Sequence, residues 1–257
     1  MTVRAVHPLL LGWEFGPESI SLEGGSGEQV LRLPITGVLV ETTEGPVLLE
    51  TGCDPRPYRR SPPDTSVYAM GLPEFPTDGD PLLDALARHG VAPGDLVAAA
   101  VSHLHLDHAG GLRHLAAAGV PVAIQVEELG FASTRAGREE SYLREDYTHD
   151  DLRWRLLDGD AEIVSGIDAL ATPGHTPGHM SYLVHAPDTT WLFAVDAIDL
   201  QRGIDTDTPI GSSADPQDAP LRRRSHDRVI ATAEEHHARL VPGHDPETWL
   251  ALTTSGG

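Results

Sequence analysis

Between Ser102 and Gly111 the chain reads SHLHLDHAGG. His103, His105, Asp107 and His108 fall within a few positions of one another, and paired glycines follow. Imidazole and carboxylate together suit zinc, iron, manganese or cobalt. Residues two apart on extended backbone point the same way, so His103 and His105 can converge on one point. Asp107 and His108 come after a bend and face a second point. Gly110 and Gly111 are expected to supply the backbone angles of a tight corner. A solvated histidine-rich loop is the plain alternative, but so dense a set of donors directly after a buried strand argues against it.

Three later positions extend the pattern. TPGHTPGH, Thr172 to His179, follows an apolar run, and its prolines and glycines hold His175 at a strand end. Asp196 closes WLFAVD, where a buried carboxylate is costly unless paired or metal-bound. His244 stands in LVPGHD, again at the end of an apolar run. These donors are too many for one tetrahedral ion. Two divalent ions sharing a carboxylate use them all, with zinc the first choice and iron, manganese or cobalt also compatible. The expected division puts His103, His105 and His175 on one ion and Asp107, His108 and His244 on the other, with Asp196 bridging. Two such ions about 3.5–4 Å apart hold a bridging hydroxide that can attack a carbonyl carbon. Asp107 is expected to orient it as well as bind metal. His179 is read as a supporting histidine.

The elements that must position these residues alternate along the chain. QVLRLPITGVLVET and PVLLE read as strands, with turn chemistry from Thr43 to Pro46 between them. Residues 51–80 are dense in proline and glycine and read as an irregular loop, and Pro55 to Pro81 as a lid or a dimer arm. DPLLDALARHG reads as a helix with Asp80 as its cap, Pro81 at its first position and Gly90 at its end. LVAAAV is a short buried strand that leads directly into the histidine cluster. LRHLAAAG is a helix and VPVAIQV another strand. Phe131 to Trp154 reads as partly helical. AEIVSGIDALATPGH and MSYLVHAPDTTWLFAVD supply strand pairs, Arg223 to His237 a long helix, and ARLVPGHD a last strand. Residues 252–257 read as a flexible tail. Without a strong linker, one layered α/β domain over residues 1–257 is the economical reading.

Composition narrows the partners. The chain has 257 residues, 40% of them hydrophobic, and a formal net charge of −21 with arginine as its only basic side chain besides histidine. Such a surface repels nucleic-acid phosphates and anionic membranes, which leaves a small-molecule substrate. The single cysteine, Cys53, excludes an intrachain disulfide and points to a reducing compartment. MTVRAVHPLLLGWEF is an apolar run broken by Pro8 and Gly12, without a cleavage site, so no signal peptide is read. No run reaches the roughly 20 apolar residues of a membrane span. The expectation is a soluble, cytoplasmic monomer or homodimer.

HLHLDH fits the H-x-H-x-D-H motif of the metallo-β-lactamase superfamily, and His175, Asp196 and His244 arrive in that family's order. Within it the chain resembles the N-acyl-homoserine lactonases of quorum quenching. SHLHLDHAGG, LLETGC, LLDGDAEIVSGI, TPGHTPGHMS and GHD have counterparts there in the same order. The resemblance implies an αββα sandwich, two mixed sheets flanked by helices, with the site at one edge of the paired sheets. It also implies hydrolytic opening of a lactone. Two departures stand out. The lactonases place a tyrosine three residues after the bridging aspartate, where this chain has Asp199. An anionic aspartate can act as a general base or bind a cationic group, so Asp199 joins Asp107 as a candidate catalytic residue. The family's DTG is ETG here, which places Glu50 beside the ligands.

Neighbouring readings use the same ligands. A thioester hydrolase of the glyoxalase-II type is expected to carry a basic C-terminal helical extension, and this chain ends soon after His244. A nuclease needs nucleic-acid-binding segments that the charge opposes. A hydrolase or cyclase acting on another ester, thioester or specialised metabolite accommodates Asp199. A non-catalytic metal-bound scaffold is the non-enzyme reading. Elsewhere, Cys53 reads as a buried small hydrophobe, and Arg222, Arg223 and Arg224 as a solvated helix start. Tyr142, Tyr147 and Trp154 read as core or pocket lining. His236 and His237 carry no assignment.

Overall fold

The protein is described by a computed structural model covering residues 2–60, 72–134, 142–214 and 216–254. The chain begins with β1 (Val3–Pro17), α1 (Glu18–Ser21), β2 (Val30–Thr42) and β3 (Gly45–Leu49). Next come α2 (Pro81–Arg88), β4 (Ala98–Ala100), α3 (Leu106–Ala109), α4 (Leu112–Ala118) and β5 (Pro121–Gln125). After α5 (Val126–Ala132), α6 (Arg144–Tyr147) and β6 (Arg153–Leu157), strands β7 (Ala161–Val164), β8 (Ile167–Ala171), β9 (Met180–His185) and β10 (Thr190–Val195) follow. The chain closes with α7 (Gln201–Asp205), α8 (Ala219–Glu235), β11 (Arg239–Pro242) and α9 (Pro246–Thr254).

The strands form two mixed sheets. One has the order β1-β2-β3-β4-β5-β6, the other β11-β10-β9-β8-β7. Side chains alternate across each strand, so a strand buried on both faces feeds two cores. Val38 and Val40 of β2 join Val47, Leu49, Tyr182, Phe193 and Val241 between the sheets. Leu39 of β2 points the other way and packs with Leu82, Leu86, Leu112 and Leu115 of α2 and α4. On the far side, Leu183, Leu192 and Ala194 pack against Val229 and Ala233 of α8. This is the αββα sandwich expected from the resemblance.

Local chemistry accounts for several boundaries. Asp80 caps α2 by accepting the Leu83 N–H at 3.1 Å, Pro81 opens the helix and Gly90 lies just beyond its end with φ 69°. β1 holds Pro8 and Gly12 within a strand, where the sequence reads only as a broken apolar run. The proline is tolerated there because β1 is the edge strand of its sheet, met on its outer side only by the Glu74 bridge at Trp13, and Gly12 sits at a register shift. Helix α8 starts ahead of the expected Arg223, at Ala219, with proline in its first turn. Arg222 is therefore buried within a helix, at 9% exposure, and not part of a solvated start. Residues 252–254 belong to α9, with Leu252 buried, so the flexible tail expected over 252–257 does not begin there. Of the expected 51–80 loop, residues 61–71 lie outside the described residues. The rest forms no element beyond a bridge from Glu74 to Trp13.

Candidate metal centre

The strand ends that carry the candidate ligands lie at one edge of the sandwich. β4 runs into His103 and His105, and α3 then carries Asp107 and His108. β8 ends just before the segment with His175. β10 and β11 are parallel neighbours that end together, Val195 opposite Pro242, so Asp196 and His244 leave adjacent strands side by side. Val195 has φ 49°, an outlier for a β-branched residue, and this turns the chain to present Asp196. Gly110 and Gly111 have ordinary helical angles, with φ −63° and −90°. Their role is close approach, not the special angles expected from sequence. A Cβ on Gly110 would lie 2.0 Å from Asp54 N, and one on Gly111 2.6 Å from Thr51 O.

All seven candidate ligands meet. His103, His105 and His175 form one group of donor atoms within 4.8 Å of one another, and Asp107, His108 and His244 form another. Asp196 stands between them. Its Oδ2 lies 3.2 Å from His175 Nε2 and 3.9 Å from His103 Nε2. Its Oδ1 lies 3.0 Å from His244 Nε2 and 3.2 Å from His108 Nε2. Asp107 Oδ2 is 3.0 Å from His108 Nε2. Donors about 2.0–2.2 Å from a tetrahedral ion stand roughly 3.3–3.6 Å apart, and these separations scatter around that range.

The hydrogen bonds behind the donors fix which nitrogen faces inward. His108 Nδ1 donates to Glu50 Oε2 at 2.7 Å, and His244 Nδ1 to the Pro34 carbonyl at 2.9 Å. Ser102 Oγ donates to Glu50 and sits 2.9 Å from His103 Nδ1, which donates to it in turn. The opposite nitrogens, His103 Nε2 and His108 Nε2, are buried without a hydrogen-bond partner, while His105 turns Nδ1 inward, 3.0 Å from His175 Nε2. Buried nitrogens without partners are costly unless a cation meets them. The donor set therefore fits two divalent cations. His179 acts from behind, as expected: Nδ1 faces Thr172 O at 3.1 Å, and Nε2 accepts the Asp196 N–H at 3.1 Å.

The electrostatics of the two halves differ. Burial pushes His105 down to about 4 and His175 down to about 3, so both imidazoles are neutral and open to metal at pH 7. At His244 burial works downward most strongly of any one cause, but the Asp196 charge and hydrogen bond, with Asp199 and Glu14, together hold the ring well above its usual value. Burial works to raise Asp107, yet His108 and His244 hold it down at about 2. Asp199, by contrast, is pushed up to about 8 by burial and then by the charge of Asp196. Sequence patterning did not single out Glu14 of β1, which is raised to about 8 by burial and by Asp107 and Asp196.

A second unanticipated carboxylate braces the first half. Glu128 is fully buried and accepts from Leu104 N at 3.0 Å, Gly178 N at 3.2 Å and Thr176 Oγ1 at 2.7 Å. It also accepts from Tyr142 Oη at 2.6 Å. Leu104 lies between His103 and His105, and Thr176 follows His175, so one carboxylate ties the two ligand segments together. Tyr142 packs its ring edge against His105 at 4.7 Å, while Tyr147 bonds the Ala132 carbonyl. Trp154 packs at the margin of the helical core, and Cys53 is buried in it.

Comparison with known proteins agrees with this geometry. The metallo-beta-lactamase superfamily model matches residues 31–244. An N-acyl homoserine lactonase of Bacillus cereus is 33% identical over 221 residues, 85% of this chain and 84% of the relative. The N-acyl homoserine lactonase AiiA of Bacillus thuringiensis subsp. kurstaki is 31% identical over 222 residues, again 85% and 84% of the two chains. A solved N-acyl homoserine lactone hydrolase, with N-hexanoyl-L-homoserine bound at its catalytic metal centre, superposes with a TM-score of 0.84 at 29% identity. That likeness covers 98% of this chain and 97% of the other. On its motif, its fold and the convergence of its ligands, the chain belongs to the metallo-beta-lactamase superfamily.

Proposed function

We propose that this protein is a dinuclear metal-dependent hydrolase that opens a lactone of the N-acyl-homoserine type. The observation that carries the reading is the division of Asp196, with one oxygen toward His103 and His175 and the other toward His108 and His244. The similarity to lactonases over most of the chain supports the choice of substrate class. His103, His105 and His175 would hold one cation, Asp107, His108 and His244 the other, and Asp196 both. Zinc is the first choice, with iron, manganese and cobalt also compatible with these donors.

Such cations, when bound, polarise a carbonyl and acidify water. The protein's own groups do the positioning. Asp107, ionised across neutral pH, accepts a hydrogen bond from the attacking water and aims its oxygen at the carbonyl carbon. Asp199 faces the same half of the site, where a cation would draw off the proton it otherwise holds at neutral pH. Glu50, Glu128 and His179 keep the ligands from turning. The ring C–O bond breaks, water adds across it, and a hydroxy acid leaves. The acid ionises at neutral pH and releases one proton per ring. The partner is a small molecule, with no role for nucleic acid or membrane. The single cysteine favours a reducing, cytoplasmic setting, as monomer or homodimer. Among the described residues no helix is long and apolar enough to cross a membrane.

A second reading is supported by Asp199 and Glu14, two carboxyl groups raised to about 8 that a cationic substrate group would draw into the ionised form. Under it, the substrate is another ester, a thioester or a specialised metabolite carrying a cationic group. A panel of acyl-homoserine lactones, plain lactones, thioesters and amine-bearing esters, with products identified by mass, separates the two. The lactonase reading expects products heavier by one water from the lactones. Turnover confined to thioesters or amine-bearing esters would overturn it.

A further inference from the structure

The half-site of Asp107, His108 and His244 contains one more carboxylate than the division above uses. Asp199 is only 3% exposed, on the turn after β10. Its carbonyl accepts the His244 N–H at 2.8 Å, which fixes its backbone beside that ligand. Donor atoms of Asp196, Asp199 and His244 lie within 4.8 Å of one another. Asp199 Oδ1 is buried and has no hydrogen-bond partner. A carboxylate oxygen in that situation is costly unless a positive group meets it.

The geometry points to Asp199 as a direct ligand of the second cation, an inference that rests on the dinuclear reading. The second position then has Asp107, Asp196 and Asp199 with His108 and His244. The first has three imidazoles and its share of Asp196. Four donors rich in imidazole suit tetrahedral zinc. Five donors, three of them carboxylates, suit a harder ion that accepts more ligands, such as Mn(II). The two positions therefore differ in preference, and the residue standing where the resemblance places a tyrosine makes the difference.

The test is metal binding, read without substrate. Metal-free protein is titrated calorimetrically with Zn(II) and with Mn(II), and the Mn(II)-loaded form is examined by electron paramagnetic resonance. Wild type is expected to bind two equivalents. Asp199→Asn and Asp199→Ser are expected to keep the first equivalent and weaken the second by at least about tenfold for Mn(II), and by less for Zn(II). Asp199→Glu, which keeps the carboxylate, should restore part of the loss. Two equivalents at wild-type affinities and an unchanged Mn(II) spectrum in both uncharged variants would overturn the inference while leaving the dinuclear reading intact. Failure of wild type to bind any divalent ion would overturn both.

Discussion

His108 Nδ1 donates to Glu50 Oε2 at 2.7 Å, and through Ser102 the same carboxylate reaches His103. Glu50 thus orients one ligand from each half of the candidate centre. It also accepts from Ser102 N at 2.7 Å and from the Tyr182 hydroxyl of the opposite sheet. Its own φ of 65° turns it from β3 toward the ligands. Because every partner is a donor, Glu50→Gln must aim an amide N–H₂ at another donor. The expected cost is about 1–3 kcal/mol of stability, read by urea unfolding of the metal-free protein. Affinity for both cations should fall by about 10–100-fold. Glu50→Asp should lose less metal affinity, since it keeps the charge. An unchanged metal titration for Glu50→Gln would remove Glu50 from this role.

Glu128 offers a more selective lesion. It joins the segments of His105 and His175, and it touches none of Asp107, His108 or His244. Glu128→Ala strands four buried donors and should cost about 3 kcal/mol or more. The first cation position should weaken more than the second. Tyr142→Phe removes one of the four bonds and should cost about 1 kcal/mol. Stepwise metal titration reads the asymmetry, and equal weakening of both positions would contradict it.

Asp196→Asn tests the shared ligand. One oxygen becomes an N–H₂ that cannot serve a cation, so one position loses its bridge while the other keeps a neutral oxygen. Bound metal should fall to roughly one ion per chain, and hydrolysis by on the order of 10²-fold or more. Elemental analysis after gel filtration gives the first number. A variant that retains both ions and its rate would rule out bridging.

Asp146 makes a pH prediction from α6, the helix that packs against α3. It is 4% exposed, and its Oδ2 has no hydrogen-bond partner. Burial, then the charge of Asp54, raises it from 3.8 to about 7. The folded chain therefore binds the extra proton between those values, and stability falls as pH rises through that window, levelling off above it. Asp146→Asn removes the penalty. The variant should be more stable than wild type by about 4 kcal/mol at pH 8, with the gain vanishing near pH 4. The same gain at both pH values in urea unfolding would contradict this assignment.

The ligands were legible in the sequence because each sits at the end of an apolar run, where a polar donor has no structural excuse. His103, His105, Asp107, His108, His175, Asp196 and His244 all reach one edge for that reason. The αββα layering followed from the motif and its resemblance. What lay hidden depends on contacts distant along the chain. Glu128 sits in VEELGF, which sequence reasoning left without an assignment, and its burial comes from the remote segments of Leu104 and Thr176 to Gly178 that bond to it. Glu14 lies on a strand whose proline and glycine masked it, and its proximity to Asp107 comes from sheet closure. Gly110 and Gly111 looked like a corner, but their function is contact with residues 51–54. The last helix was obscured because a short, weakly amphipathic segment at the chain end looks like a tail.

The most direct measurement is acid release in a pH-stat, using acyl-homoserine lactones and protein in three states: metal-loaded, chelator-stripped and re-loaded. The account predicts one proton per ring opened by the loaded protein, loss of that release on stripping, and its return with added divalent cation. Acid release that survives complete metal removal, or none from any lactone with both cation positions filled, would contradict it.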